Sequence, residues 1–145
     1  MGSITYDFQD DTVGSPPAGW TLNDSTNGSN SEVYNSAGDH VWNISASASN
    51  QAYWTSDVGT SLSDVIMEGE MYVPNTGNIG IICLRHDGNP RATQNCYRVV
   101  FTASYYDVTK VVNGSSTSLN QTLRDNTSTF NYKFEVVGTT IRFKI

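Results

Sequence analysis

Apolar and polar positions alternate with period two along nearly the whole chain, and the three-to-four-residue recurrence of an amphipathic helix is absent. The alternation predicts strands over residues 4–8, 20–22, 32–34, 40–44, 52–55, 64–73, 77–85, 96–102, 105–112, 117–123, 130–137 and 140–145. Between them lie clusters of Gly, Asn, Asp and Ser, residues that tolerate or favour turn backbone. The pattern is clearest over 64–73. There Val65, Met67, Met71 and Val73 share one face with Gly69, while Ile66, Glu68, Glu70 and Tyr72 share the other. One apolar and one mixed face suit a strand that lies on a core on one side only. Asn113-Gly114 suits a type I′ hairpin turn, and a second hairpin is expected at Val137-Gly138-Thr139. Many short strands at this spacing predict an all-β fold, a two-sheet antiparallel sandwich or a barrel.

Neither a repeat nor a break in composition divides the chain, so residues 1–145 read as one domain. Hydrophobic residues make up 37% and aromatics 11%, enough to build a core and too much for a disordered chain. Charged residues are only 15%, well below the usual quarter, and Ser, Thr and Asn supply the polar surface instead. A neutral, hydroxylated surface of this kind fits an extracellular or virion protein. Net charge is −6 and the eight basic residues are scattered, which argues against nucleic-acid binding and against anionic membranes. No apolar run is long enough to span a bilayer. Met1-Gly2-Ser3 is not followed by a signal-peptide pattern, so the start reads either as a remnant on an excised secreted domain or as a protein made without a signal.

The opening Tyr6-Asp7-Phe8, the Asp10-Asp11 turn, Gly14 and then Pro17-Ala18-Gly19-Trp20 resemble the start of concanavalin A-like (laminin G-like) jelly-roll domains. Ser63-Asp64-Val65 opening a long strand, Gly80-Ile81-Ile82-Cys83-Leu84-Arg85 and Tyr97-Arg98-Val99-Val100-Phe101 continue the resemblance in order. It implies a two-sheet antiparallel jelly-roll β-sandwich, a fold that hosts lectins, carbohydrate-binding modules, glycoside hydrolases and virion proteins. Members of that family usually run on past a strand like 140–145 into a tryptophan-containing hairpin. Here the pattern stops in mid-strand, so either the chain is cut short there or an open C-terminal edge is left on which a homo-oligomer could be built.

Three chemistries are candidates. Sugar binding needs an exposed aromatic face beside amide, guanidinium or carboxylate groups, and Trp42, Tyr53, Trp54, Tyr72, Arg85, Tyr97 and Arg98 could supply these, although most large aromatics fill cores. Tyr53 and Trp54 are adjacent on a strand and face opposite ways, as do Tyr105 and Tyr106. Trp20 is assigned a structural role. Glu68 and Glu70, at i and i+2 on one strand face, have a spacing within reach of a glycosidase pair, but two solvated carboxylates are the simpler account. A structural calcium is allowed by the resemblance, with Asp10, Asp11 and Asp39 as ligands and Asp87 and Asn89 as further loop donors; the same residues form turns without a metal. Cys83 and Cys96 fall on adjacent strands and could form a cross-strand disulfide if they pair directly; the alternative is two small buried thiols. His40 and His86 lie in or beside polar loops. Asn-x-Ser/Thr sequons at Asn23, Asn27, Asn43, Asn113, Asn120 and Asn126 matter only on a eukaryotic secretory route.

Three function classes follow. First is a non-catalytic recognition or adhesion module that binds a glycan or cell-surface polysaccharide through a sheet face or loops. Second is a phage or virion structural or capsid-decoration protein with other virion proteins as partners. Third is a glycoside hydrolase using Glu68 and Glu70.

Overall fold

The computed structural model describes residues 5–25, 30–45, 52–56, 64–73, 80–85, 87, 93–102, 104–124 and 129–145, with backbone alone for residues 21–25, 30–31, 44–45, 52–56 and 80. The described residues contain strands and turns and no helix, hence no helix long and apolar enough to cross a membrane. The strands are β1 (Trp20–Ser25), β2 (Asn30–Ser36), β3 (Asp39–Ser45), β4 (Ala52–Ser56), β5 (Val65–Met71), β6 (Gly80–Leu84), β7 (Cys96–Phe101), β8 (Tyr105–Val112), β9 (Ser115–Leu123), β10 (Phe130–Val137) and β11 (Thr140–Lys144). All strand pairs are antiparallel. Contacts divide the chain into two compact units, Met1–Thr60 and Ser61–Ile145.

In the first unit β1 pairs with β4 and β2 with β3. The β2–β3 hairpin turns at Ala37-Gly38, both at positive φ (54° and 101°), and the Asn35 side chain accepts a bond from the Gly38 amide at 3.0 Å. Val33 is fully buried, and its amide donates to the Ser15 carbonyl while its carbonyl accepts from Gly14. The strand expected over 4–8 is not formed among its described residues, 5–8. Phe8 takes φ +59° and its carbonyl accepts from the Asp11 amide at 3.1 Å, so the backbone turns where the alternation predicted it would extend. The apolar residues of that stretch pack through their rings instead. Tyr6 meets Trp20 edge-on at 5.2 Å, Trp20 meets Trp42 at 4.6 Å, and Phe8 meets Trp42 at 6.0 Å.

The second unit has a three-stranded sheet ordered β11-β10-β5 and a four-stranded sheet ordered β6-β7-β8-β9. Alternation decides which residues each sheet buries. Phe130, Tyr132, Phe134 and Val136 of β10 stand opposite Met71, Gly69, Met67 and Val65 of β5, and this row turns inward. From the other sheet come Ile82, Leu84, Val99, Phe101 and Val108, and the two sets form one apolar cluster with Val73. Phe143 of β11 joins the sheets, its ring 5.5 Å from Phe101 and 4.9 Å from Tyr106. Tyr106 packs on this core and Tyr105 lies outside it, the split expected of neighbours on a strand.

Two predicted hairpins form as expected. Val112 pairs with Ser115 across Asn113 (φ 47°) and Gly114 (φ 75°), a turn with both central residues left-handed. Val137 pairs with Thr140, and of the two residues between them only Gly138 has positive φ, the type II′ pattern.

Candidate functional site

The outward row of the three-stranded sheet brings charged and amide side chains of three strands together. Strand alternation turns Ile66, Glu68 and Glu70 outward from β5, Asn131, Lys133 and Glu135 from β10, and Thr140, Arg142 and Lys144 from β11. Register then decides the neighbours. Glu68 stands opposite Lys133, which stands opposite Lys144; Glu70 stands opposite Asn131; Glu135 stands opposite Arg142. Lys133 bonds Glu68 at 2.7 Å and Glu135 at 3.4 Å. These two carboxylates, Glu68 first, hold the Lys133 ammonium above the ordinary lysine range. Glu68, Gly69, Glu70, Asn131, Tyr132, Lys133, Lys144 and Ile145 line a shallow depression of about 440 Å³. Tyr72 follows Glu70 in the outward alternation and is 65% exposed, while Met71 and Val73 on either side of it turn toward the core.

The sequence predicts Glu68, Glu70 and Tyr72 on one face; the register keeps Glu68 and Glu70 together, and Tyr72, past the end of β5, is exposed. The structure adds Asn131, Lys133 and Lys144, which the alternation within β10 and β11 could orient but could not assign to Glu68 and Glu70. That assignment depends on the β5–β10 register, set between segments more than fifty residues apart. As an acid pair, Glu68 and Glu70 lie on an open face, and Glu68 is held by Lys133 with its side chain 60% exposed.

The other predicted site residues lie elsewhere. Arg85 is a clamp inside the second unit. Its guanidinium bonds the Asp64 carboxylate at 3.2 Å, the Gly138 carbonyl at 3.1 Å and the Val136 carbonyl at 3.4 Å. Arg98 spans three strands, bonding Thr109 Oγ1 at 3.1 Å and Ser116 Oγ at 2.6 Å. Tyr97 packs against the core. Trp42 is half-buried in the ring cluster with Trp20 and Phe8. The backbones of Tyr53 and Trp54 pair with Asp24 and Leu22, and their side chains lie outside the described residues.

Of the calcium candidates, Asp11 Oδ1 accepts the Ala18 amide at 2.9 Å, a turn-forming role, while Asp10 and Asp39 are exposed. The Asp87 carboxylate accepts from the amide and side chain of Asn95, and Asn89 lies outside the described residues. No group of three or more His, Cys, Asp or Glu side chains converges among the described residues. His40 lies just past the β2–β3 turn. It sits in β3, half-buried, with Nδ1 3.1 Å from the Phe8 carbonyl. His86 lies outside the described residues.

Cys83 and Cys96 are both free thiols on adjacent strands. They do not stand directly opposite: Cys83 faces Arg98, so Cys96 is its diagonal neighbour on the same face of the sheet.

No protein-family model, curated protein or solved structure matches the chain.

Proposed function

We propose that the chain is a non-catalytic recognition module of jelly-roll sandwich type that binds glycans on the outward face of β5, β10 and β11. The observation that carries this reading is Tyr72, exposed two residues after Glu70, which with Glu68, an amide and amines lines a shallow depression. A phenol ring stacks on the C–H face of a pyranose, while carboxylates accept from sugar hydroxyls and ammonium and amide groups donate to them. Open, shallow geometry suits binding of a chain-like ligand better than enclosure of a reacting bond. The neutral hydroxyl- and amide-rich surface supports an extracellular or virion setting for such a module.

A glycan array followed by calorimetry, in calcium and in chelator, tests the proposal. Tyr72→Ala should weaken binding about tenfold or more, the loss of one stacking contact. Tyr34→Ala, an exposed tyrosine of the first unit, should leave binding unchanged. Binding indifferent to Tyr72, or no glycan bound at all, overturns the reading.

A second reading, assembly of copies as in a virion structural protein, is favoured by β9. This nine-residue edge strand pairs only with β8 among the described residues and is exposed along almost its whole length. Ser115–Leu123 carries no charge and no proline, the usual guards of a sheet edge, and Leu123 is 85% exposed. The β11 edge, by contrast, carries Arg142 and Lys144, which repel a second copy. Assembly, if it uses a sheet edge, uses β9 in preference to the C-terminal one. Light scattering on the wild type and on Thr117→Lys distinguishes the two readings: an oligomer dispersed by the lysine supports assembly, and a monomer in both removes it.

A further inference from the structure

The sulfurs of Cys83 and Cys96 have no part in the proposed glycan face, yet they form a defined site. Cys83 sits on β6, an edge strand of five residues, and Cys96 opens β7. Because Cys83 faces Arg98 in the register, alternation puts Cys83, Cys96 and Arg98 on one face of the sheet. That face is opposite the one carrying Ile82, Leu84, Val99 and Phe101 into the core. Cys96 is 4% exposed, and Cys83 is half-buried beside it. As diagonal neighbours on one face of adjacent strands, the two side chains are close enough to perturb each other's titration.

Their surroundings differentiate them. The neighbouring Cys83 thiol pulls the Cys96 thiol below the ordinary cysteine range against the effect of its burial, and the Arg98 guanidinium adds to the pull. Cys83 moves the other way, first through the neighbouring Cys96 and then through burial. Arg98 is fixed in place by Thr109 and Ser116. Two thiols that are neighbours on one sheet face, one of them half-exposed, offer an oxidant a first sulfur to react with and a second to displace it.

We propose that Cys83 and Cys96 are a modification site: a vicinal dithiol that a small-molecule disulfide oxidises to a diagonal cross-strand disulfide between β6 and β7. One thiolate attacks a sulfur of the oxidant, forming a protein–oxidant mixed disulfide and releasing the first half of the oxidant as thiolate. The second protein sulfur loses its proton and displaces the remaining half, so the Sγ–Sγ bond forms as the mixed disulfide breaks. The two cysteine protons go to the two released thiolates. The protein loses two electrons and the oxidant gains them. The bond closes the segment from 83 to 96 and fastens the short edge strand to its only described neighbour.

The test compares purified wild-type protein incubated with excess oxidised glutathione against the same protein kept in dithiothreitol. Each is alkylated and read by intact mass and peptide mapping. The expected result is a monomer that has lost two mass units and both alkylation sites together, carries no glutathione, and returns to the dithiol with reductant. Its Tm should rise by roughly 5–10 °C, as for closure of a loop of this length. In Cys83→Ser the Tm should not respond to oxidant. Two thiols still free after oxidation, a lasting glutathione adduct on either cysteine, or disulfides between chains would each overturn the proposal.

Discussion

The Tyr132 hydroxyl stands 3.1 Å from the position a Cβ would occupy on Gly69, its direct partner across β5 and β10, and two further ring atoms stand at 3.3 Å. The tyrosine thus fills the inward position that the glycine leaves empty. Gly69 is at ordinary extended φ, so an alanine there meets no backbone strain, only the ring. Gly69→Ala should lower stability by about 1 kcal/mol, because Tyr132 is buried and has little room to retreat. Tyr132→Phe removes the nearest atom and should reduce that loss. Chemical denaturation of the two single variants and the double variant measures the coupling, and strictly additive losses would sink the idea.

Asp64 Oδ1 accepts from both the Arg85 guanidinium and the Gly138 amide, so one oxygen joins the start of β5, the end of β6 and the β10–β11 turn. Both side chains are partly exposed, which limits their Coulombic contribution. Arg85 also reaches two backbone carbonyls that a lysine, with its single point charge, could not bridge in the same geometry. Arg85→Ala and Asp64→Ala should each cost about 1–2 kcal/mol, with the double variant losing less than the sum. Arg85→Lys should behave more like the alanine variant than the wild type in urea melts.

At alkaline pH two groups act in the same direction. Burial raises the Tyr132 phenol above its ordinary 10.0, and Glu68 with Glu135 raises Lys133 above its ordinary 10.5. In each case the folded pKa exceeds the unfolded one, so the contribution to stability is complete below the unfolded value and is lost as pH climbs through the folded one. Thermal melts should therefore fall once pH passes about 10. Tyr132→Phe should flatten part of that fall and Lys133→Met another part, the latter diminishing in high salt because the lysine is at the surface. A melt profile of the same shape in both variants would contradict the assignment.

Phe143 touches four rings, those of Phe101, Tyr106, Tyr132 and Phe134. It comes from β11, an edge strand, yet it connects the inward faces of both sheets of the second unit. Phe143→Ala should cost about 3–5 kcal/mol and Phe143→Leu much less. Ile145→Ala, one step beyond the strand and exposed, should be close to neutral in the same unfolding measurement.

What the sequence discloses here depends on how local the deciding interaction is. Asn113-Gly114 announces its hairpin because both residues accept a left-handed backbone and the strands on either side alternate cleanly. Ala37-Gly38 makes a similar turn without announcing it, since alanine gives no turn signal and the Asn35 side chain supports the bend. The stretch 4–8 has the alternation of a strand, but a turn at Phe8 and ring packing on Trp42 prevail over it. Glu68 and Glu70 could be placed on one face from β5 alone. The Lys133 that holds Glu68, and the Gly138 carbonyl that holds Arg85, come from distant segments whose register no local pattern encodes. The disulfide question turned on the same point: adjacency of strands was legible, but the diagonal offset of Cys83 and Cys96 was not.

The Asn113-Gly114 turn also bears on how the protein ages. An Asn-Gly step is chemically fragile because the glycine amide nitrogen can attack the asparagine side-chain carbonyl, closing a succinimide that opens to isoaspartate. In the fold that nitrogen donates to the Gln94 carbonyl at 3.0 Å, and the Asn113 amide donates to Asn95 Oδ1 at 3.1 Å. Both bonds must loosen before the nucleophile can swing toward its target. Isoaspartate at residue 113 should therefore accumulate more slowly in the native protein than in the denatured chain at the same pH. Peptide mapping after storage would turn this hairpin into a clock for time spent unfolded.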